Sequence, residues 1–195
     1  MSDVAASKGA EAARRGPFAG LNLDTRASGV TLADAGPCAR FLLRGGGAAA
    51  LAVGMALHLD MPREAYGCAT DDAGRAMLWL GPDEWMLVAP EDDAAALTQK
   101  LDAALNDLAH ALTDISHRNA GLIVRGPQVA DAINAGCPLD LDIKAFPVGA
   151  CTRTLLAKAE IVLWRIEADA FRIETTRSFA PYVVALLQQA ARDQD

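Results

Sequence analysis

The sequence predicts an α+β fold in which one structural unit is used twice. Two observations carry this reading. Phe41-Leu-Leu-Arg-Gly-Gly and Leu122-Ile-Val-Arg-Gly-Pro share one form, an apolar strand running into a tight turn. Each is followed by a short helical stretch, an irregular loop, a hairpin and a long helix. In the overlay Arg44-Gly45 falls on Arg125-Gly126, and Gly54 on Gly136 with one residue inserted. Leu57, Leu59 and Asp60 then fall on Leu139, Leu141 and Asp142. Gly67 falls on Gly149, Thr70 on Thr152, and Asp83 and Trp85 on Asp169 and Phe171. Two such units, each too small to stand alone, are expected to share one mixed sheet with helices packed on it. The result is a single domain over residues 17–195 with pseudo-two-fold symmetry, its halves at roughly 38–110 and 119–193.

Residues 1–16, rich in Ala, Ser, Gly and charge without periodicity, read as a disordered tail. Ala39 to Arg44 reads as a strand, and Gly45-Gly46-Gly47 as the turn into a helix over Ala48 to Val53. Ala76 to Leu80 and Glu84 to Ala89 are strands joined by Gly81-Pro82-Asp83, a turn signal between apolar runs. Glu91 to Ala109 is the clearest helix, with acidic residues at the positive end of its dipole and Leu97, Leu101, Leu105 and Leu108 on one stripe.

Ala111 to Ser116 is a strand joining the halves, and Gly121 to Arg125 another. Pro127 to Ala135 is a helix with Pro at its first position and Gly136 beyond its end. Strands follow at Thr152 to Lys158, Glu160 to Ile166 and Phe171 to Thr175. The last helix starts after Ser178, a candidate N-cap, and runs to about Arg192.

A formal net charge of −7 argues against nucleic acid or an anionic membrane as a general partner. The longest apolar run, Ala48 to Leu57, is ten residues, about half of the roughly 20 a bilayer span needs. The first residues lack an apolar signal core, so a cytoplasmic location is expected. Cys38, Cys68, Cys137 and Cys151 form no C-x-x-C pair, and the histidines show no ligand spacing. Buried free thiols and no metal site are the expectation.

Three stretches invite a chemical reading. Arg44-Gly-Gly-Gly resembles a phosphate cradle, but the equivalent turn in the second half holds Pro127, which has no N–H to offer. A tight turn made twice explains both copies. Ser116-His117 suggests nucleophile and base, yet neighbours along a strand point to opposite faces. Asp60 and Asp142 sit in equivalent Leu-x-Leu-Asp segments, where Asp serves turns. No catalytic, cofactor-binding or metal-binding residue is therefore assigned.

The hairpin is more informative. Met77-Leu-Trp-Leu and Trp85-Met-Leu-Val are apolar on both alternating faces, whereas Phe171-Arg-Ile-Glu alternates cleanly. A strand apolar on both sides must be covered on both sides. Either the other half of the chain does this, or a docked protein does. Trp79 and Trp85, together with His117 and Arg118 at a strand end, are the candidate subunit-interface residues.

Taken together, several segments resemble one family, the gamma subunit of heterotetrameric sarcosine oxidase. They are Leu80-Gly-Pro-Asp-Glu-Trp-Met-Leu-Val, Thr113-Asp-Ile-Ser-His-Arg, Gly136-Cys-Pro-Leu-Asp-Leu, Phe146-Pro-Val-Gly-Ala-Cys-Thr-Arg-Thr and Arg177-Ser-Phe-Ala-Pro-Tyr. The resemblance implies a fold similar to the folate-binding domain of the glycine-cleavage T-protein. It also implies membership of a complex that demethylates sarcosine to glycine oxidatively, with tetrahydrofolate accepting the one-carbon unit. Its alpha, beta and delta subunits would carry NAD, tetrahydrofolate, FAD, FMN and zinc, leaving this chain a non-catalytic structural role. A stand-alone folate-binding or aminomethyl-transferring protein, and an accessory protein with other partners, are the rival expectations.

Overall fold

The computed structural model describes residues 15–25 and 29–193. The proposed tail lies outside the described residues except for Arg15 and Gly16. In chain order the elements are β1 (Thr31–Asp34), β2 (Cys38–Gly45), α1 (Gly47–Leu57), β3 (Cys68–Thr70), β4 (Ala76–Gly81), β5 (Glu84–Pro90) and α2 (Ala94–Leu105). The second run is β6 (His110–Asp114), β7 (Asn119–Arg125), α3 (Val129–Asn134), β8 (Cys151–Leu156), β9 (Ala159–Glu167), β10 (Ala170–Thr176) and α4 (Ala180–Arg192).

The two runs correspond element for element, but they do not share one mixed sheet. They form two antiparallel five-stranded sheets of matching order, β3-β4-β5-β2-β6 and β8-β9-β10-β7-β1. Each sheet thus takes its last strand from the other run. β6 lies against β2 with Asp114 opposite Phe41, and β1 lies against β7 with Asp34 opposite Leu122. The turn leaving each exchanged strand is also repeated. Asp34 Oδ1 accepts from the Gly36 N–H at 2.9 Å, and Asp114 Oδ1 from the Ser116 N–H at 2.8 Å. Ala111 to Ser116 is therefore more than a junction, and its counterpart β1 escapes a sequence reading because only Leu32 on it is buried.

The layers follow from strand parity. Phe41, Leu43, Met77, Trp85 and Leu87 face α1 and α2. Leu122, Ile161, Leu163, Phe171 and Ile173 face α3 and α4. The opposite parity of both sheets, with Leu78, Met86, Val88, Val162 and Trp164, closes a third core between them. The order is helices, sheet, sheet, helices. The two-sided apolar character of the hairpin is satisfied within the chain, by helices on one face and the second sheet on the other.

Local differences have local causes. The long helix begins at Ala94 after a 3₁₀ turn at Glu91–Asp93 and ends at Leu105, where the Leu108 N–H turns back three residues to the Leu105 carbonyl at 2.9 Å. α3 starts at Val129 with Gln128 as its N-cap: the Gln128 carbonyl accepts the Ala132 N–H at 3.0 Å, and its own N–H, which a helix start leaves free, is taken by the Gly29 carbonyl at 3.2 Å. Ser178 is not an N-cap. It lies in the 3₁₀ turn Arg177–Phe179, its hydroxyl 3.3 Å from that of Thr176. The overlay near Gly149 also moves by one residue. Cys68 pairs with Leu78 and Cys151 with Trp164, so Cys68 corresponds to Cys151 and Tyr66 to Gly149.

Candidate functional site

The pseudo-two-fold relation places equivalent residues side by side where the sheets meet. Gly67 and Ala150, equivalent in the corrected overlay, form an antiparallel bridge, and the Cys151 N–H donates to the Tyr66 carbonyl at 2.7 Å. This bridge adjoins a cleft of about 810 Å³ lined by residues 60–61 and 63–70 of one loop and by Leu139, residues 145–150 and Thr152 of its counterpart. Tyr66 holds φ at +63° where its equivalent is Gly149 at +90°. A tyrosine there costs backbone strain that glycine avoids.

Behind this region two ionic groups join the sheets, and sequence reasoning found neither. Arg40 on β2 reaches across to Glu174 on β10, Nε to Oε2 at 2.6 Å, with both side chains 3% exposed. Arg172 also binds Glu174, at 2.7 Å, and donates to Cys38 Sγ at 3.1 Å. In the second group Glu84, buried, pairs with Arg44 at 3.0 Å and with Arg153 of β8, which in turn holds Glu160 at 2.8 Å. The polar face of Phe171-Arg-Ile-Glu is thus turned inward rather than to solvent. The signal in the sequence was Arg40, a charge inside the apolar run Ala39-Arg-Phe-Leu-Leu.

Trp85 cannot serve as a contact residue: it is 2% exposed. Its ring stacks on Trp79 at 4.8 Å, and Trp79, half-buried, donates its indole N–H to the Gly81 carbonyl at 2.6 Å. The equivalent pair in the second half is Arg165 and Phe171, the guanidinium 4.5 Å from the ring centroid. Burial lowers the Arg165 pKa, opposed by the charge of Asp142. His117 and Arg118 are exposed in the turn between β6 and β7.

Most residues of the three chemical stretches hold structural bonds. Ser116 Oγ accepts the Arg40 N–H at 2.9 Å, fixing the exchanged strand rather than facing His117. The Gly45 N–H donates to the Asp83 carbonyl and the equivalent Gly126 N–H to the Asp169 carbonyl, both at 2.9 Å. The same turn is indeed made twice. Asp142 Oδ1 accepts the Lys144 N–H at 2.9 Å in a local turn, while Asp60 lines the cleft. All four cysteines are free. Desolvation pushes the Cys151 thiol up to about 12 and raises that of Cys68, which is only half-buried at the cleft wall. Among the described residues no group of three or more His, Cys, Asp or Glu is arranged to hold a metal. No described helix is long and apolar enough to cross a membrane.

The duplicated four-layer domain, with one strand exchanged between its halves, is a fold that other solved structures also have. The aminomethyltransferase T of the glycine cleavage system from Bartonella henselae superposes with a TM-score of 0.62 at 16% identity, over 87% of this chain and 50% of that one, a likeness of fold alone. Residues 44–193 match the sarcosine oxidase, gamma subunit family, and the chain belongs to it. It is 36% identical over 145 residues to the sarcosine oxidase subunit gamma of Corynebacterium sp. (strain P-1), covering 74% of this chain and 70% of that protein. The Arthrobacter subunit is 32% identical over 145 residues, with the same coverage. Among solved structures, the heterotetrameric sarcosine oxidase from Corynebacterium sp. U-96, in complex with pyrrole 2-carboxylate, matches with a TM-score of 0.84 and 30% identity. That match covers 92% of this chain and 95% of the other.

Proposed function

We propose that this chain is the architectural gamma subunit of a heterotetrameric sarcosine oxidase that acts in sarcosine catabolism. The observation that carries the reading is the near full-length structural match to a chain of such a heterotetramer. The interior is consistent with it. Of the polar residues that suggested chemistry, Ser116 is committed to an exchanged strand, Asp142 to a local turn and Arg44 to ion pairs with Asp83 and Glu84. In this reading the alpha, beta and delta subunits carry FAD, FMN, NAD, tetrahydrofolate and zinc. They perform the oxidative demethylation of sarcosine to glycine in the cytoplasm. His117 and Arg118, both exposed, remain the proposed contact residues, with the half-buried Trp79.

The test is co-expression with the other three subunits, followed by size-exclusion chromatography and sarcosine-dependent oxygen uptake. The gamma chain should co-elute in equal amount with its partners; a chain that stays free overturns the assignment. Titration of the isolated chain with tetrahydrofolate separates the rival reading, because a stand-alone aminomethyltransferase would bind it in the micromolar range.

A further inference from the structure

The Arg40–Glu174 group ends at a second, smaller cavity that none of the roles above uses. It has a volume of about 110 Å³ and lies where the β1–β2 and β6–β7 turns cross, walled by Arg40, Arg177, Asn119, Ser116, Asp34 and Gly121. Gly121 keeps the wall open to the guanidinium. A Cβ there would come within 2.9 Å of Arg40 Nη2 and 2.7 Å of Glu174 Oε1.

Three features point to a ligand. The first is charge: among the described residues the wall carries Arg40, Arg177 and Asp34, and the ion group behind it adds Arg172 and Glu174, which leaves a net of one positive charge. Among the described residues Arg177 has no ion pair, and its Nη2 donates only to the Arg15 carbonyl at 3.1 Å. The second is Asn119, a wall residue shared with a neighbouring cavity of about 40 Å³, whose Oδ1 is buried with no hydrogen-bond partner. A half-turn of the amide exchanges its oxygen and nitrogen ends, so the same position can present N–H donors. A buried amide atom without a partner is costly unless something in the space pairs with it. The third is size. A water's share of liquid volume is about 30 Å³, so the space suits a group of a few heavy atoms.

We propose that this cavity binds one small monovalent carboxylate, held by the Arg177 guanidinium and the Asn119 amide in the field of Arg40. A dianion is disfavoured, because the described wall and the ion group behind it, Asp34 included, carry a net of one positive charge. The carboxylate has two possible sources: a free small acid, or a side-chain or terminal carboxylate of a partner subunit.

Thermal melts and calorimetric titrations of the full chain with sodium acetate, against sodium chloride and sodium sulfate at matched ionic strength, test the site. At about tenfold the dissociation constant, acetate should raise Tm by roughly 3 °C beyond chloride. Arg177→Gln and, separately, Asn119→Ala should weaken acetate binding at least tenfold. Acetate binding that persists in the assembled heterotetramer identifies a free acid as the natural ligand. Binding by the isolated chain that is lost on assembly, with acetate slowing assembly, identifies a partner carboxylate. If acetate acts no differently from chloride, or both variants bind it as the wild type does, the cavity holds water only and the proposal is overturned. The gamma-subunit assignment rests on the co-expression test and can fail or stand independently.

Discussion

Replacing Glu174 by Ala removes the one carboxylate that holds two arginines between the sheets. Arg40 loses both of its bonds to Glu174, at 2.6 and 3.3 Å, and Arg172 loses its own at 2.8 Å. What remains to Arg40 is the Cys38 carbonyl at 3.2 Å; its side chain is 3% exposed, and a water entering from the neighbouring cavity would supply no compensating charge. Stripping one partner from a buried pair costs about 3–5 kcal/mol, because the other charge is left uncompensated. For a domain of this size that is a fall in Tm of roughly 6–20 °C. Urea unfolding of the purified chain measures it directly, with an unchanged m-value indicating that the native state is otherwise intact. The control is the triple variant Arg40→Met, Glu174→Leu, Arg172→Met. If the cost comes from stranded charge, this variant should lie within about 1 kcal/mol of the wild type or above it. A Glu174→Ala penalty under about 1 kcal/mol, or a triple variant as weak as the single one, would refute the reasoning.

Other perturbations test other joints of the fold. Gly126→Ala should be severely destabilising, by roughly 3 kcal/mol or more in urea melts. Its φ is +134° and a Cβ would lie 2.1 Å from the Gly29 carbonyl oxygen. Tyr66→Gly should instead stabilise or leave stability unchanged, by up to about 1 kcal/mol, since it relieves a left-handed φ of +63°. Residues 119–193 expressed alone lack β1 and should stay unfolded by circular dichroism, because β7 is left as an open edge; supplying residues 29–118 in trans should restore structure. Stability should also decline in alkali. An unfolded Cys151 loses its proton near 8.5 while the folded thiol holds it to about 12. The unfolded state therefore binds fewer protons across that window. The slope is at most about 1.4 kcal/mol per pH unit above pH 9, and Cys151→Ala should flatten it.

The elements were legible where the sequence speaks locally. The Arg44-Gly45 and Arg125-Gly126 turns, the hairpin around Pro82 and the amphipathic α4 are each written in neighbouring residues, and the structure places them where expected, apart from helix ends set by competing bonds. β1 and β3 were not legible. One is four residues long with a single buried side chain, and the other three residues with none fully buried. Too little apolar surface lies on either to mark a period. The interface residues divide in the same way. His117 and Arg118 sit in an exposed turn, as charged residues between strands do, whereas nothing local distinguishes a tryptophan destined for a helix-covered core from one destined for a partner.

The duplication, and with it the family, is a property of the chain itself, since two copies of one pattern can be compared without knowing how either folds. What the tertiary structure alone decided is which copy completes which sheet. β1 precedes β2 and β6 precedes β7, yet each pairs with the other's neighbour, because a strand's edge accepts any correctly spaced backbone and the linear order does not say which will arrive. It also decided the meaning of alternation. Phe171-Arg-Ile-Glu has the period of a strand with one wet face, and that face is dry because Arg40, 134 residues away from Glu174, stands across it. Period tells which side chains share a face; only packing tells what that face meets.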